Sequence, residues 1–340
     1  MKKPTISDVA KKAGVSKAAV SFYINNHTFQ LSETTQKKIE TTIKKLKYIP
    51  SASARNLAKG HTSLIGIVTV NLLADPFTNA IRGIQQEAFN CDKSLLISDA
   101  AGITAREKKD ATLLLSRGSE GLIFISSSSE TSNAFLNEIQ APKVFINRPS
   151  VQPVFPCITL ENRKPIRDIV LGLARYGHTR IAYFTVPPKT WAFKERLEGY
   201  CEGISMIQGK PNIKTLFSRA VYTKKSLAHL EKTLLETIEN EQCTAIVTHN
   251  DPLAHEIWKI LMKHSIAIPE KISLTGFDDY RENSVLIPSL TTVRQSFFEA
   301  GVKAVSMLNN LIQGKKISSH LHLQSKVIWR DSTSDYKGKK

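Results

Sequence analysis

Long apolar runs are missing from this chain of 340 residues. The longest stretches, such as Leu64 to Val70, fall far short of the roughly 20 residues that a membrane-spanning helix needs. The first residues include two lysines and then turn polar without an apolar segment, so no secretory leader and no membrane partner are expected. Cysteine is scarce as well, with Cys91, Cys157, Cys201 and Cys243 lying more than forty positions apart. No CxxC pair and no zinc-type Cys/His spacing occurs, which leaves reduced, buried thiols in a cytoplasmic protein. No metal or cofactor is expected. Enzyme signatures are equally absent: there is no GxGxxG after the first strand, no GxxxxGK[ST], no GxSxG and no HExxH. An enzyme is not expected on these grounds, and no pair of carboxylates stands out as catalytic.

What the chain does have is positive charge in one place. Residues 1–60 carry a net charge of +9 out of a total of +17. More than half of the excess therefore sits in less than a fifth of the length. A basic module of that size points to a polyanion, nucleic acid first and an anionic lipid surface second.

The same segment reads as three short helices. Thr5-Ile6-Ser7-Asp8 has the form of a capping box, with Asp8 in the place of the usual Glu or Gln. Ile6, Val9, Ala10 and Ala13 recur at helical spacing and Gly14 stops the helix. Ser16 can cap a second helix with Ala19, Val20 and Ile24 inward, and Asn25-Asn26-His27 breaks it. A third helix opens at Ser32-Glu33 and turns Ile39, Ile43 and Leu46 inward. Two short helices joined by a Gly-containing turn make a helix-turn-helix, whose second helix meets base edges in the major groove with its N-terminal residues. Those residues are Lys17 and Ala18, then Ser21 and Phe22 one turn on. Lys17 can donate to guanine or to a phosphate, whereas Ala18 can only touch a thymine methyl. Thr5, Ser7, Ser16, Asn25 and the lysines of the third helix are the expected backbone contacts. A three-helix protein-interaction module is the bland alternative.

Residues 5–16, running Thr5-Ile6-Ser7-Asp8-Val9-Ala10-Lys11-Lys12-Ala13-Gly14-Val15-Ser16, resemble the head of the lactose-repressor (LacI/GalR) family, as do Val20-Ser21 and Asn25. Tyr48-Ile49-Pro50 and Ala54-Arg55-Asn56-Leu57-Ala58 resemble that family's hinge, in which a leucine, here Leu57, wedges into a minor-groove step with Ala54 and Arg55 beside it. The match has two departures. Ala19-Val20-Ser21-Phe22 stands where relatives usually have Thr-Val-Ser-Arg, so the operator sequence does not carry over. Ser51 replaces a common hinge Asn.

Beyond Gly60 the texture changes to short apolar runs separated by helix-length stretches. The runs are Leu64–Val70, Ser94–Ser98, Gly121–Ile125 and Lys143–Ile146, then Arg180–Val186, Thr244–Thr248 and Ile272–Gly276. This alternation means parallel sheets with helices on both faces, and two such series leave a cleft at the carboxyl ends of their strands. The expected fold is an all-α helix-turn-helix head plus an α/β periplasmic-binding-protein-like core of two doubly wound parallel-sheet subdomains. The expected division is a head at 1–49, a hinge helix and linker at 50–61, and an effector-binding and dimerisation core at 62–340. Within the core an N-subdomain takes about 62–161 and 291–322, and a C-subdomain about 162–290 and 323–340.

The core resembles the same family in Asp75-Pro76-Phe77, in Gly177-His178-Thr179-Arg180, and in Arg196-Leu197-Glu198-Gly199-Tyr200. The match continues in Asn250-Asp251, Gly276-Phe277-Asp278-Asp279 and Pro288-Ser289-Leu290-Thr291-Thr292. The resemblance implies a small-molecule effector between the subdomains, contacted by Asn147, Arg148, Arg196, Asn250 and Asp278. Phe77, Phe297 and Trp191 would add apolar walls. Bidentate polar groups against aromatic faces suit a polyol such as a sugar or sugar phosphate. A purine or another metabolite, and a soluble sugar-binding protein or DNA-associated enzyme sharing the core, stay open as alternatives. Since one recognition helix reads few base pairs, a homodimer on a near-palindromic double-stranded operator is expected. The tail after Arg330 lacks leucine heptads, which favours a dimer over a tetramer.

Overall fold

The computed structural model describes residues 4–25, 27–49, 62–125, 135–149, 155–216 and 223–336. The chain divides into two units, Met1–Ser63 and Leu64–Lys340.

In the first unit, helix α1 spans Ile6–Ala13, α2 spans Lys17–Ile24 and α3 spans Glu33–Leu46, with a short 3-10 turn at Thr28–Gln30. Their ends follow from local chemistry. The Thr5 hydroxyl and the Asp8 carboxylate cap each other's backbone N–H, a complete capping box. Gly14 takes φ +68°, a left-handed turn open to glycine at little cost. Ser16 and Ser32 accept hydrogen bonds from the Ala19 and Thr35 N–H groups. Val9, Ala10, Val20 and Ile39 form the buried centre, with Ile43 and Leu46 packed against it.

The second unit contains two parallel sheets. The first has six strands in the order β11-β5-β4-β3-β1-β2. Its strands are β1 (Leu64–Thr69), β2 (Ser94–Asp99), β3 (Gly121–Ile125), β4 (Lys143–Ile146), β5 (Cys157–Leu160) and β11 (His320–Leu323). The other has four, β7-β6-β8-β9, from β6 (Ile181–Thr185), β7 (Ile213–Thr215), β8 (Ala245–Thr248) and β9 (Ser273–Thr275). Strands β10 (Thr292–Gln295) and β12 (Ser325–Ile328) pair antiparallel. Central strands such as β3, β6 and β8 are buried at every residue, as expected where helices cover both faces. Helices α4 (Asp75–Asn90) and α10 (Phe297–Ile312) cover one face of the six-stranded sheet, and α5 (Thr104–Ser116) covers the other. The four-stranded sheet lies between α6 (Arg163–Arg175) with α7 (Trp191–Met206) on one side and α8 (Lys224–Glu239) with α9 (Asp251–Lys263) on the other. This is the doubly wound architecture that the apolar runs imply. Strands β5, β7 and β10 to β12 were not among those runs.

In both parallel sheets the strand order reverses beside the first strand, between β1 and β3 and between β6 and β8. Ligands in open α/β sheets bind outside the strand ends at such points. The carboxyl ends of the two sheets meet: Asp75, after β1, accepts from the Arg281 backbone N–H at 3.1 Å and from its guanidinium at 3.2 Å. No helix among the described residues is long and apolar enough to cross a membrane.

Glycines let α4 and α10 come together. A Cβ on Gly83 would lie 2.0 Å from the Phe298 carbonyl oxygen, and one on Gly301 would lie 2.1 Å from that of Ala80. Neither carbonyl can move without its helix. Gly83→Ala and Gly301→Ala are each expected to cost about 1–3 kcal/mol of overpacking in denaturant unfolding. An unchanged midpoint for both would contradict this packing.

Candidate functional site

The first site is the exposed side of the small helical unit. Lys17, Ala18 and Phe22 are exposed on α2, while Ser7, Ser21 and Asn25 are partly buried. Ser16 and Thr5 serve as caps, and Asn25 folds back, its amide donating to the Ser21 carbonyl at 3.0 Å. Lys37, Lys38 and Lys45 stay exposed on α3, whereas Lys44 pairs with Glu40 at 2.6 Å. Ala54, Arg55 and Leu57 lie outside the described residues.

The second site is built around one buried cation. Arg196 projects from the second turn of α7 and is 3% exposed. Its Nε donates to Asn162 Oδ1 at 2.9 Å and its Nη1 to the His249 carbonyl at 2.6 Å. Its Nη2 donates to Asp278 Oδ1 at 3.1 Å and to Gln295 Oε1 at 3.3 Å. The guanidinium lies over the Phe277 ring at 3.7 Å, a cation–π contact, with Phe193 farther off at 5.7 Å. A buried charge is tolerated only when paired and hydrogen-bonded in this way.

These partners come from different segments. Asn162 follows β5, where the chain leaves the six-stranded sheet; Gln295 ends β10, before it returns in α10. Asn162 also donates to Asn147 Oδ1 at 3.4 Å, so the network reaches the end of β4. Asn147 takes φ +56° and Asp278 φ +112°. Such backbone strain in residues with side chains collects at functional positions. Burial pushes the Asp278 carboxyl up to about 7, against the pull of Arg196, and the neighbouring Asp251 adds to the rise. Burial, reinforced by the Arg196 charge, holds His249 down to about 3, so its ring is neutral at ordinary pH.

Asp251 supports this wall. Its carboxylate accepts from the Tyr280 N–H at 2.9 Å, Asn283 Nδ2 at 2.7 Å and the Thr292 hydroxyl at 2.7 Å. A Cβ at position 276 would fall 2.0 Å from the same carboxylate, which accounts for Gly276.

The structure thus brings Asn147, Arg196 and Asp278 into one network. Asn250 sits next to His249 and caps α9, accepting from the Leu253 N–H at 3.1 Å. Arg148 is buried and ion-paired with Glu107 from α5. Trp191 opens α7, half-buried, and is not among the rings that touch Arg196. Phe297 is 3% exposed in the apolar core, and Phe77 packs edge-on against it at 5.8 Å. The contacts of Arg196 with Asn162, Gln295 and the His249 carbonyl were not foreseen from sequence. His249 Nδ1 is buried without a hydrogen-bond partner, and the ring meets Phe193 edge-on at 4.8 Å. His178 holds its own turn, donating from Nε2 to the Ser334 carbonyl and bonding Thr244 at 2.9 Å. Among the described residues no group of three or more His, Cys, Asp or Glu is arranged to hold a metal.

Comparison with known proteins decides the family. Residues 5–51 match the model for bacterial regulatory proteins of the lacI family, and residues 170–333 match a periplasmic binding protein-like domain. The transcriptional repressor CytR of Escherichia coli K12 is 27% identical over 334 residues, 97% of this chain and 96% of that one. The chain belongs to the LacI family. Its regulatory relatives include EndR of Paenibacillus polymyxa, 29% identical over 92% of each chain. Among solved structures, the lac repressor dimer bound to operator and the anti-inducer ONPF superposes with a TM-score of 0.84. That likeness has 26% identity and covers 98% of this chain and 100% of that one. This LacI-family chain is a DNA-binding transcriptional regulator rather than an enzyme.

The Asp278 environment carries a pH signature. Its folded pKa lies above the unfolded value, so its contribution is fully present below about 4 and is lost as pH rises through 7. The stability of the wild type relative to Asp278→Asn is therefore expected to fall between pH 5 and pH 8, by at most about 1.4 kcal/mol per pH unit. Urea unfolding at the two pH values measures it; a pH-independent difference would place Asp278 in a solvated setting.

Proposed function

We propose that this regulator is a dimeric repressor of carbohydrate-utilisation genes, with an operator affinity set by a sugar or sugar phosphate bound in the core crevice. Its setting is the cytoplasm, on a near-palindromic double-stranded operator. The observation that carries the reading is the Arg196 network. One buried guanidinium joins the strand ends of the four-stranded sheet to Asn162 and Gln295, in the segments where the chain passes between the sheets. A ligand that takes hydrogen bonds from this network acts directly on those passages.

Arg196 and Asp278 are assigned to effector hydroxyls, with Asn147, Arg148 and Asn250 lining the same crevice. Phe77, backed by Phe297, and Trp191 supply apolar surface. Sugar binding draws support from the solved complexes that this fold resembles, among them a CelR–cellobiose complex. The head takes residues 1–49, the hinge 50–61 and the core 62–340, with subdomain boundaries near 161, 290 and 322. Thr5, Ser7, Ser16, Lys17, Ala18, Ser21, Phe22 and Asn25 are the DNA-facing residues of the head, and Ala54, Arg55 and Leu57 those of the hinge. Allostery then requires that the effector bind the DNA-competent and DNA-incompetent states unequally.

Selection of bound sequences from random duplex DNA supplies the operator. A panel of hexoses, disaccharides, sugar phosphates and purine nucleosides is then screened against the complex. Arg196→Lys keeps the charge but loses the planar fork. It is expected to hold operator affinity within about twofold while weakening the effector response roughly tenfold or more, about 1.4 kcal/mol. A normal response in that variant would move the effector site elsewhere. Operator affinity should fall steeply with salt, by roughly 0.9 in the log–log slope per neutralised phosphate; a flat dependence would remove the lysine-rich footprint.

A further inference from the structure

The exposed side of α2 is unusual in what it lacks. Ala18 and Phe22 are four residues apart, so their side chains lie one above the other on the same helix face. Both are exposed, Phe22 by 38%, and neither belongs to the apolar cluster of Val9, Ala10, Val20 and Ile39. A phenyl ring left outside the core of so small a unit is not holding that unit together.

The neighbouring polar groups are engaged locally. The Ser16 hydroxyl accepts from the Ala19 N–H at 3.0 Å. The Asn25 amide donates to the Ser21 carbonyl at 3.0 Å and to the Ser21 hydroxyl at 3.3 Å. Lys17, at the first position of the helix, is the one long polar side chain on that face. A helix entering the major groove this way offers base edges a methyl and a ring where donors and acceptors are usual. The apolar group that base edges present there is the 5-methyl of thymine.

We propose that Ala18 and Phe22 form an apolar strip that reads thymine 5-methyl groups, so that each operator half-site is specified at this position by methyls rather than by a hydrogen-bond pattern. Lys17 sets the register of the strip by donating to a guanine or phosphate beside it. The inference rests on the reading of this unit as a DNA-reading head. It goes further by naming the base chemistry recognised. The same contact accepts 5-methylcytosine, which carries its methyl at the same ring position, and is lost with uracil.

The test starts from the sequences that the full-length protein selects from random duplex DNA, with and without a pooled metabolite mixture. One or two thymines are expected at a fixed place in each half-site. Synthetic duplexes with deoxyuridine at those places should bind about fourfold more weakly per methyl removed, the effect of losing one buried methyl-sized group. Phe22→Ala should bind the thymine and uracil duplexes alike, and Phe22→Arg should move the preference at that base pair toward guanine. Because Phe22 lies outside the cluster, both variants keep the helical signal of the wild type. Uracil substitution without effect, or an undiminished methyl penalty in Phe22→Ala, overturns the strip while leaving the DNA-reading head in place. Failure to select any consensus under either condition overturns the head reading, and the strip with it.

Discussion

A guanidinium buried to 3% exposure is the constraint on which the core depends. Such a charge cannot be left without partners, because the cost of desolvating it is repaid only by a full set of hydrogen bonds and a counter-charge. Arg196 finds them at the strand ends of one sheet and in two segments that lead to the other. Much of the local architecture serves this arrangement. Gly276 leaves room for the Asp251 carboxylate, Asp251 holds the Tyr280 and Thr292 segments, and those segments carry Asp278 to Arg196. The strained φ of Asp278 and the rise of its carboxyl toward neutral pH reflect the same placement. A site held this way is preorganised, and a polyhydroxyl ligand would offer the guanidinium acceptors of the same kind as those it already has.

The helical unit works by a different economy of interactions. Its centre is small, and its helix ends are set by side-chain caps at Thr5, Ser16 and Ser32 together with the glycine turn at Gly14. Burial and capping use up one side of each helix. Lysines and the exposed side of α2 remain for an outside partner. Charge supplies affinity for any duplex, whereas discrimination needs contacts to base edges.

Features set by neighbours in the chain could be read from the sequence. The capping box, the glycine stop and the continuous apolar runs of β1, β3, β4, β6 and β8 each depend on a handful of adjacent residues. The short strands escaped because they look unlike buried strands. Strand β7 reads Ile-Lys-Thr, and β11 alternates His and Leu on a sheet edge. The network around Arg196 was partly visible through the family motifs, which pointed to Asn147, Arg196 and Asp278. The contacts of Arg196 with Asn162, Gln295 and the His249 carbonyl were out of reach, since only the folded chain brings together residues 34, 99 and 53 positions from it. Phe297 was named from the same pattern, and the first turn of α10 sets it in the apolar core beside Phe77.

The most direct test of the account is a crystal structure of the protein with the small molecule that changes its operator affinity. The ligand is expected in the crevice at the strand ends, with hydroxyl groups taking hydrogen bonds from Arg196 and at least one of its contacts to Asn162, Asp278 or Gln295 exchanged. A ligand bound elsewhere, with every one of those contacts intact, would contradict it.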